Sequence, residues 1–292
     1  MNTPLMTPSA LAHRLADADL SQQTLVVDCR FNLADTQAGR QAWQQGHIPG
    51  AIYAHLDQDL SGPKTGRNGR HPLPAAEAFV RTLQQWGVTH DTHVVAYDDA
   101  GGMFAARLWW MLTQWSGLAA CSVLDGGWQR WEQDIGSRSD KTDRLHRSTD
   151  TRKMAWPKDG GTAALVTAQQ VLSAIQNPDG TQLLDARAPD RFMGQNETLD
   201  PVGGHIPGAI NRFFKTNLDS QGRFKTADQL REEFTALLGT TQPDQVVHQC
   251  GSGVTACHNL LAMEIAGLTG SRLYAGSWSE WCADDSRPMA MG

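Results

Sequence analysis

One cysteine in this 292-residue chain stands where a thiol can do chemistry. It opens the run Cys250-Gly251-Ser252-Gly253-Val254-Thr255, directly after the apolar pair Val246-Val247 and before a helical stretch from Thr255 to Ala266 that Gly267 ends. The pattern reads as a buried strand, a tight loop and a helix N-terminus. Glycines at 251 and 253 let the backbone curl so that successive N–H groups face inward. The helix that follows adds the positive end of its dipole. A thiol in water has a pKa of about 8.5 and is mostly protonated at neutral pH, so donors aimed at the sulfur favour the reactive thiolate. Gly251, Gly253, Val254 and Thr255 supply the backbone that would hold an anion beside Cys250, and Ser252 adds a hydroxyl. Arg191 is a candidate anion-binding residue on the same rim, because an arginine fork grips a carboxylate or sulfonate through two hydrogen bonds.

The elements that must position these groups come in duplicate. Gly46-His47-Ile48-Pro49-Gly50-Ala51-Ile52 returns letter for letter at Gly204 to Ile210. A strand ending in an acid and an arginine precedes each copy: Asp28 and Arg30, then Asp185 and Arg187. Threonines 7 and 167 read as helix caps ahead of those strands. Val94 to Asp98 matches Val246 to Cys250, and the Trp128 and Trp131 pair matches Trp278 and Trp281. Each half alternates short apolar strands with helices. Pro74 to Trp86, stopped by Gly87, reads as one helix, and Thr226 to Leu238, stopped by Gly239, as its twin. Such alternation predicts an α/β fold with mainly parallel sheets flanked by helices, and ligands at the carboxyl ends of the strands. The expected domains are residues 1–140 and 163–292. A polar linker, 141–162, lies between them, with Lys158-Asp159-Gly160-Gly161 inside it and no apolar period.

A duplicated chain carries its own control. Features present in both halves are expected to be structural: His47 and His205 fixing turns, the two Asp–Arg pairs bracing loops, the tryptophans filling cores. Features present once are candidates for chemistry. Cys250 is one, since Asp98 stands at its counterpart and makes the first half catalytically silent. Arg191 is another, since its counterpart is Ala34. Cys257, seven residues after Cys250, would lie roughly 10 Å away along a helix, beyond disulfide reach. His248, Cys250, Cys257 and His258 lack the CxxC spacing of a metal site, and none is expected. The polar segment from Thr65 to His71 makes the first half a contributor of binding residues.

Composition excludes other classes. A net charge of -6 without a basic run argues against a nucleic-acid partner. No stretch reaches membrane-span length, and the first twenty residues lack the apolar core of a targeting signal. Five scattered cysteines do not form a disulfide framework, which points to a reducing cytoplasm. A hydrophobic fraction of 40% with ten tryptophans is ample for two cores.

The paired Gly-His-Ile-Pro-Gly turns, Asp98 in place of cysteine and the Cys-Gly-Ser-Gly-Val-Thr loop resemble the two-domain, tandem rhodanese-like sulfurtransferases over essentially the whole chain. Within that family the loop looks like that of 3-mercaptopyruvate sulfurtransferases. Thiosulfate-preferring members carry positive side chains where Gly251 and Ser252 stand. The resemblance implies that Cys250 takes sulfur from a small donor as a persulfide and passes it to a thiol or cyanide, with a thioredoxin-like reductant as a further partner and no cofactor. It implies that Arg191 binds the donor and that Ser252 with His71 relays a proton. Two positions depart from the family. His55 aligns with the acid expected beside His71, although Asp57 is near in sequence. Glu197-Thr198-Leu199-Asp200-Pro201-Val202 replaces the stretch that would hold a second donor arginine. The fold's phosphatases need an arginine six residues after the cysteine, where this chain has Ala256. A non-catalytic redox or persulfide-carrier module is the remaining alternative.

Overall fold

Apolar runs such as Leu25-Val26-Val27 and Val246-Val247 are buried on both faces, which is the environment of a parallel sheet covered by helices. A computed structural model describes residues 3–141, 155–156 and 161–292. Most of the expected linker, 142–154 and 157–160, lies outside the described residues. The first sheet contains β1 (Leu5–Met6), β2 (Thr24–Asp28), β3 (Ile52–Tyr53), β4 (His93–Tyr97) and β5 (Ala120–Leu124), in the order β1-β5-β4-β2-β3. The second contains β6 (Gln182–Asp185), β7 (Ile210–Asn211), β8 (Val246–Gln249) and β9 (Arg272–Leu273), in the order β7-β6-β8-β9. Every pairing is parallel. The two orders coincide once β7 is matched to β3, and a single parallel bridge from Leu165 to Leu273 stands where β1 pairs with β5 in the first sheet. Each sheet is thus the α/β arrangement anticipated from the alternating pattern.

The chain divides into two compact units, and the division does not follow sequence order. The first holds Met1–Ser61, Pro74–Gly161 and Ser220–Arg223; the second holds Gly62–Leu73, Thr162–Asp219 and Phe224–Gly292. The segment Gly62–Leu73, written in the first half of the sequence, therefore packs with the unit that contains Cys250.

The helices form where caps and apolar spacing direct them. Thr7, Thr167 and Thr226 cap their helices by accepting backbone N–H groups, and the last two close capping boxes with Gln170 and Gln229. The twin helices observed are Ala76–Gln85 and Ala227–Leu238. The first starts two residues after Pro74, and Ala75 at its N-cap makes no side-chain bond. Helix Ala256–Ile265 is buried from Ala256 through Met263, almost all round, as befits a helix with no polar face. Among the described residues no helix is long and apolar enough to cross a membrane.

The shared motifs brace each unit in the same way. Arg30 pairs with Asp28 at 2.6 Å, donates to the Gly46 carbonyl at 2.7 Å and lies over the Trp128 ring. Arg187 repeats this with Asp185 at 2.6 Å, Gly204 at 2.8 Å and Trp278. One arginine thus ties a strand end, the Gly-His turn and the tryptophan helix. Both pairs are buried, so removing one partner should cost about 3–5 kcal/mol. His47 and His205 place Nδ1 against the carbonyls of Trp43 and Phe192, at 2.6 and 2.9 Å, which anchors the turns.

Candidate functional site

Cys250 follows the last residue of β8 and is 2% exposed. Its N–H donates to Ser277 Oγ at 3.1 Å, and its carbonyl accepts from Trp278 N–H at 3.0 Å. The Gly251 carbonyl accepts from Ser279 N–H at 2.9 Å. The loop is therefore clamped from the side by residues 277–279. Ser277 is the one non-glycine residue with positive φ (55°) among the described residues. Gly253 is required outright: its φ is +78°, and a Cβ there would lie 2.2 Å from the Ala275 carbonyl oxygen.

With the backbone so folded, the N–H groups of Gly253 and Ser252 face Cys250 Sγ at 3.2 and 3.5 Å. Helix Ala256–Ile265 begins immediately after, with Thr255 at its N-cap, and Val254 of the loop is buried. Cys257 is buried with its Sγ 3.3 Å from the Gly253 carbonyl. All five cysteines are buried, and no disulfide joins any of them. Two amides and a helix terminus thus converge on one sulfur, an arrangement that favours a negative charge there.

The twin loop in the first unit takes a tethered anion. Asp98, fully buried, accepts N–H groups from Ala100 (2.8 Å) and Gly102 (2.9 Å) on one carboxylate oxygen. Its other oxygen accepts from Phe104 (2.7 Å) and Ala105 (2.9 Å). Its carbonyl accepts from Trp128 N–H at 2.8 Å, as Cys250 does from Trp278.

The rim around Cys250 is built from arginines and acids. His71 Nδ1 lies 2.7 Å from Ser252 Oγ, both side chains buried. Segment Gly62–Leu73 is held by the Arg70 N–H donating to Ser279 Oγ at 3.0 Å. A Cβ on Gly251 would lie 2.8 Å from Arg70 Nη2 and 3.4 Å from Arg191 Nη2, so both guanidinium groups overlie the residue after the cysteine. Neither is bare. Arg191 makes a fork to Glu197, with Nε 3.0 Å from Oε2 and Nη2 2.9 Å from Oε1, and reaches Asp200 at 3.4 Å. Arg70 Nη1 pairs with the other oxygen of Asp200. Burial opposes ionisation of Glu197, but the Leu199 N–H and Arg191 hold its carboxyl below the usual range. Burial pushes the Asp200 carboxyl up, and Arg70 offsets only part of that. Among the described residues no group of three or more His, Cys, Asp and Glu side chains could hold a metal ion.

Two stretches, residues 7–134 and 167–284, match the rhodanese-like domain. The chain belongs to the rhodanese-like family. Across 99% of its length it is 46% identical to the Pseudomonas aeruginosa protein named "Probable 3-mercaptopyruvate sulfurtransferase", 98% of which is covered. It is 31% identical to the thiosulfate sulfurtransferase of Rattus norvegicus, over 95% of this chain and 91% of that one. The crystal structure of SseA from Escherichia coli matches with a TM-score of 0.77 at 30% identity, covering 94% of this chain and 99% of that one.

In this rhodanese-like protein the sequence-selected residues Cys250, Ser252, His71, Arg191, Gly251, Gly253, Val254 and Thr255 all lie in the second compact unit. Arg191, read from the sequence as a donor-binding arginine, grips the carboxylate of Glu197 in this structure. His55 caps a short helix by accepting the Asp57 N–H at 3.1 Å. Sequence reasoning missed Arg70, Ser277 and Ser279. The signal for Ser277 was present: it stands where the twin has Gly127, whose φ is +57°. Arg70 carried no signal beyond its place beside His71.

Proposed function

We propose that the protein is a sulfurtransferase that moves sulfane sulfur from a small donor, 3-mercaptopyruvate in preference, to a thiol or cyanide acceptor through a persulfide on Cys250. The observation that carries this reading is the pair of N–H groups facing Cys250 Sγ in a loop whose twin receives the carboxylate of Asp98. In the reaction the Cys250 thiolate attacks the donor sulfur. The new S–S bond forms as the C–S bond breaks, and the electron pair leaves with the carbon as the enolate of pyruvate. The proton of the donor thiol moves to that carbon, giving pyruvate and an enzyme persulfide. Ser252 and His71, hydrogen-bonded at 2.7 Å, supply a path for the proton. An acceptor thiol then takes the outer sulfur and restores the Cys250 thiolate, with no net oxidation and no cofactor. The loop amides stabilise sulfur charge in both steps.

The lack of a charged side chain at Gly251 and Ser252 favours a monoanionic donor over thiosulfate. Thiosulfate, which would leave as sulfite, is the second reading, favoured by the two arginines over Gly251. A thioredoxin-like reductant fits as the protein acceptor, and five cysteines that form no disulfide support a reducing, cytoplasmic setting. Residues 1–140 are read as the silent repeat, since a carboxylate at 98 cannot carry sulfur, and 163–292 as the catalytic one, joined by 141–162.

The test is incubation with 3-mercaptopyruvate and a thiol, following pyruvate and sulfide, beside thiosulfate with cyanide. Mass spectrometry after donor alone should find one added sulfur, on Cys250. Cys250→Ser should abolish transfer while Cys257→Ser and Cys282→Ser keep it. Sulfur on another residue, or turnover by Cys250→Ser, defeats the reading.

A further inference from the structure

We infer that Arg70 is the second cation of the donor-binding rim and grips, together with Arg191, the donor's carboxylate. The inference rests on the sulfurtransferase reading and names the partner that Arg191 lacks in its own stretch of sequence, where Glu197 and Asp200 stand instead. Three observations carry it. Arg70 Nη2 is the nearest atom to the space beside Gly251, closer than either terminal nitrogen of Arg191. Both arginines reach the same carboxylate, Arg70 to one oxygen of Asp200 and Arg191 to the other. The space between the two forks therefore accepts a carboxylate in this structure. The arginine side chains keep 25% and 19% of their surface while Asp200 keeps 2%, so the acid lies behind and the cations face outward.

Charge explains why two cations are needed. Glu197 and Asp200 offset Arg191 and Arg70, so either arginine alone would meet an anionic donor with its charge already cancelled. Two planar forks still present further N–H donors to a third carboxylate. Arg70 also precedes His71, whose ring lies on Ser252, and its own N–H is fixed by Ser279 Oγ. Consecutive residues would then hold the donor's head group and line its proton path.

The experiment compares 3-mercaptopyruvate with mercaptoacetone, which keeps the thiol and ketone but has a methyl in place of the carboxylate. Arg70→Ala and the longer Arg70→Gln should each lower kcat/KM for 3-mercaptopyruvate by roughly tenfold, the low end for a charged hydrogen bond that is partly exposed, and mostly through KM. Turnover of mercaptoacetone should be unchanged, which also certifies the fold. No loss with 3-mercaptopyruvate overturns the inference, as does an equal loss with both donors. Full recovery by adding Asp200→Asn to Arg70→Ala would also overturn it, since Arg70 would then be only the counter-ion of Asp200. If the wild type uses thiosulfate and not 3-mercaptopyruvate, the donor reading fails separately. Arg70 is then judged on thiosulfate: a tenfold loss upholds it and no loss overturns it.

Discussion

Ser277 should be worth more to the fold than its size suggests, and its two smallest replacements should differ in a set order. Its hydroxyl accepts the Cys250 N–H at 3.1 Å and donates to the Tyr274 carbonyl at 2.9 Å, in a fully buried position. Its backbone sits at φ 55°, which costs a non-glycine residue about 1 kcal/mol. Ser277→Ala keeps that strain and orphans a buried N–H, for a loss of about 1–3 kcal/mol. Ser277→Gly orphans the same N–H but relieves the strain, so its loss should be smaller by about 1 kcal/mol. Urea unfolding with the denaturant slope checked for both variants gives the two numbers. Hydrogen-exchange mass spectrometry of a peptide spanning residues 246–256 locates the loss at the loop. Transfer activity should fall in both, because the start of the cysteine loop is no longer pinned. An alanine variant as stable as wild type, or more stable than the glycine variant, would refute this account of Ser277.

Two predictions concern pH. Burial drives the His248 pKa down to about 3, and its ring nitrogens meet no protein partner among the described residues. The folded chain keeps it neutral while the unfolded chain protonates it below about 6.5. Stability is therefore unaffected above that pH and falls by about 1.4 kcal/mol per unit as pH drops from about 6.5 towards 3. His248→Leu should flatten the stability slope between pH 6 and 4 by that amount; an unchanged slope would exclude the assignment. His93, lowered to about 4 by burial, adds a shallower slope over its own window, because it is only partly buried and solvent screens it. Asp200, raised by burial, should take up a proton above the ordinary carboxylate range and release Arg70 and Arg191 to an incoming anion. Inhibition by pyruvate should tighten as pH falls through that range, and Asp200→Asn should bind pyruvate tightly without the pH dependence. A variant that retains the wild-type pH profile would remove Asp200 from the rim.

The sequence made the sheets legible because β2, β4, β6 and β8 are short apolar runs that can only be buried on both faces. The duplication made their order legible, since a topology repeated in one chain must be satisfied twice. The Asp–Arg braces could be read from a two-residue spacing, because their partners are local. The second compact unit could not be read in full. Nothing in Gly62–Leu73 says which unit it packs with, and the positions of Arg70 and His71 depend on that packing alone. From the sequence, Glu197 and Asp200 could be read only as standing where a second donor arginine is expected. They are 4% and 2% exposed and pair with Arg191, which lies across a loop, and Asp200 also pairs with Arg70, which is distant in sequence. Side-chain pairing across a loop has no period, so pattern reasoning does not reach it.

The two cysteine-position loops argue most directly for what the fold can do. Each follows the central strand of its sheet, each is held through its first carbonyl by the backbone of a tryptophan, and each ends in a helix N-terminus. In the first unit, four amides close on the carboxylate of Asp98, an anion that cannot leave. In the second, a shorter loop aims two amides at a sulfur that can gain and lose an atom. On the proposed function this difference matters, because a persulfide is one sulfur longer than a thiolate and would need donors farther from the strand end. A loop saturated by its own side chain is a structural brace. The same loop with a cysteine in place of the aspartate would, on the proposed function, turn its amides toward the transferred sulfur.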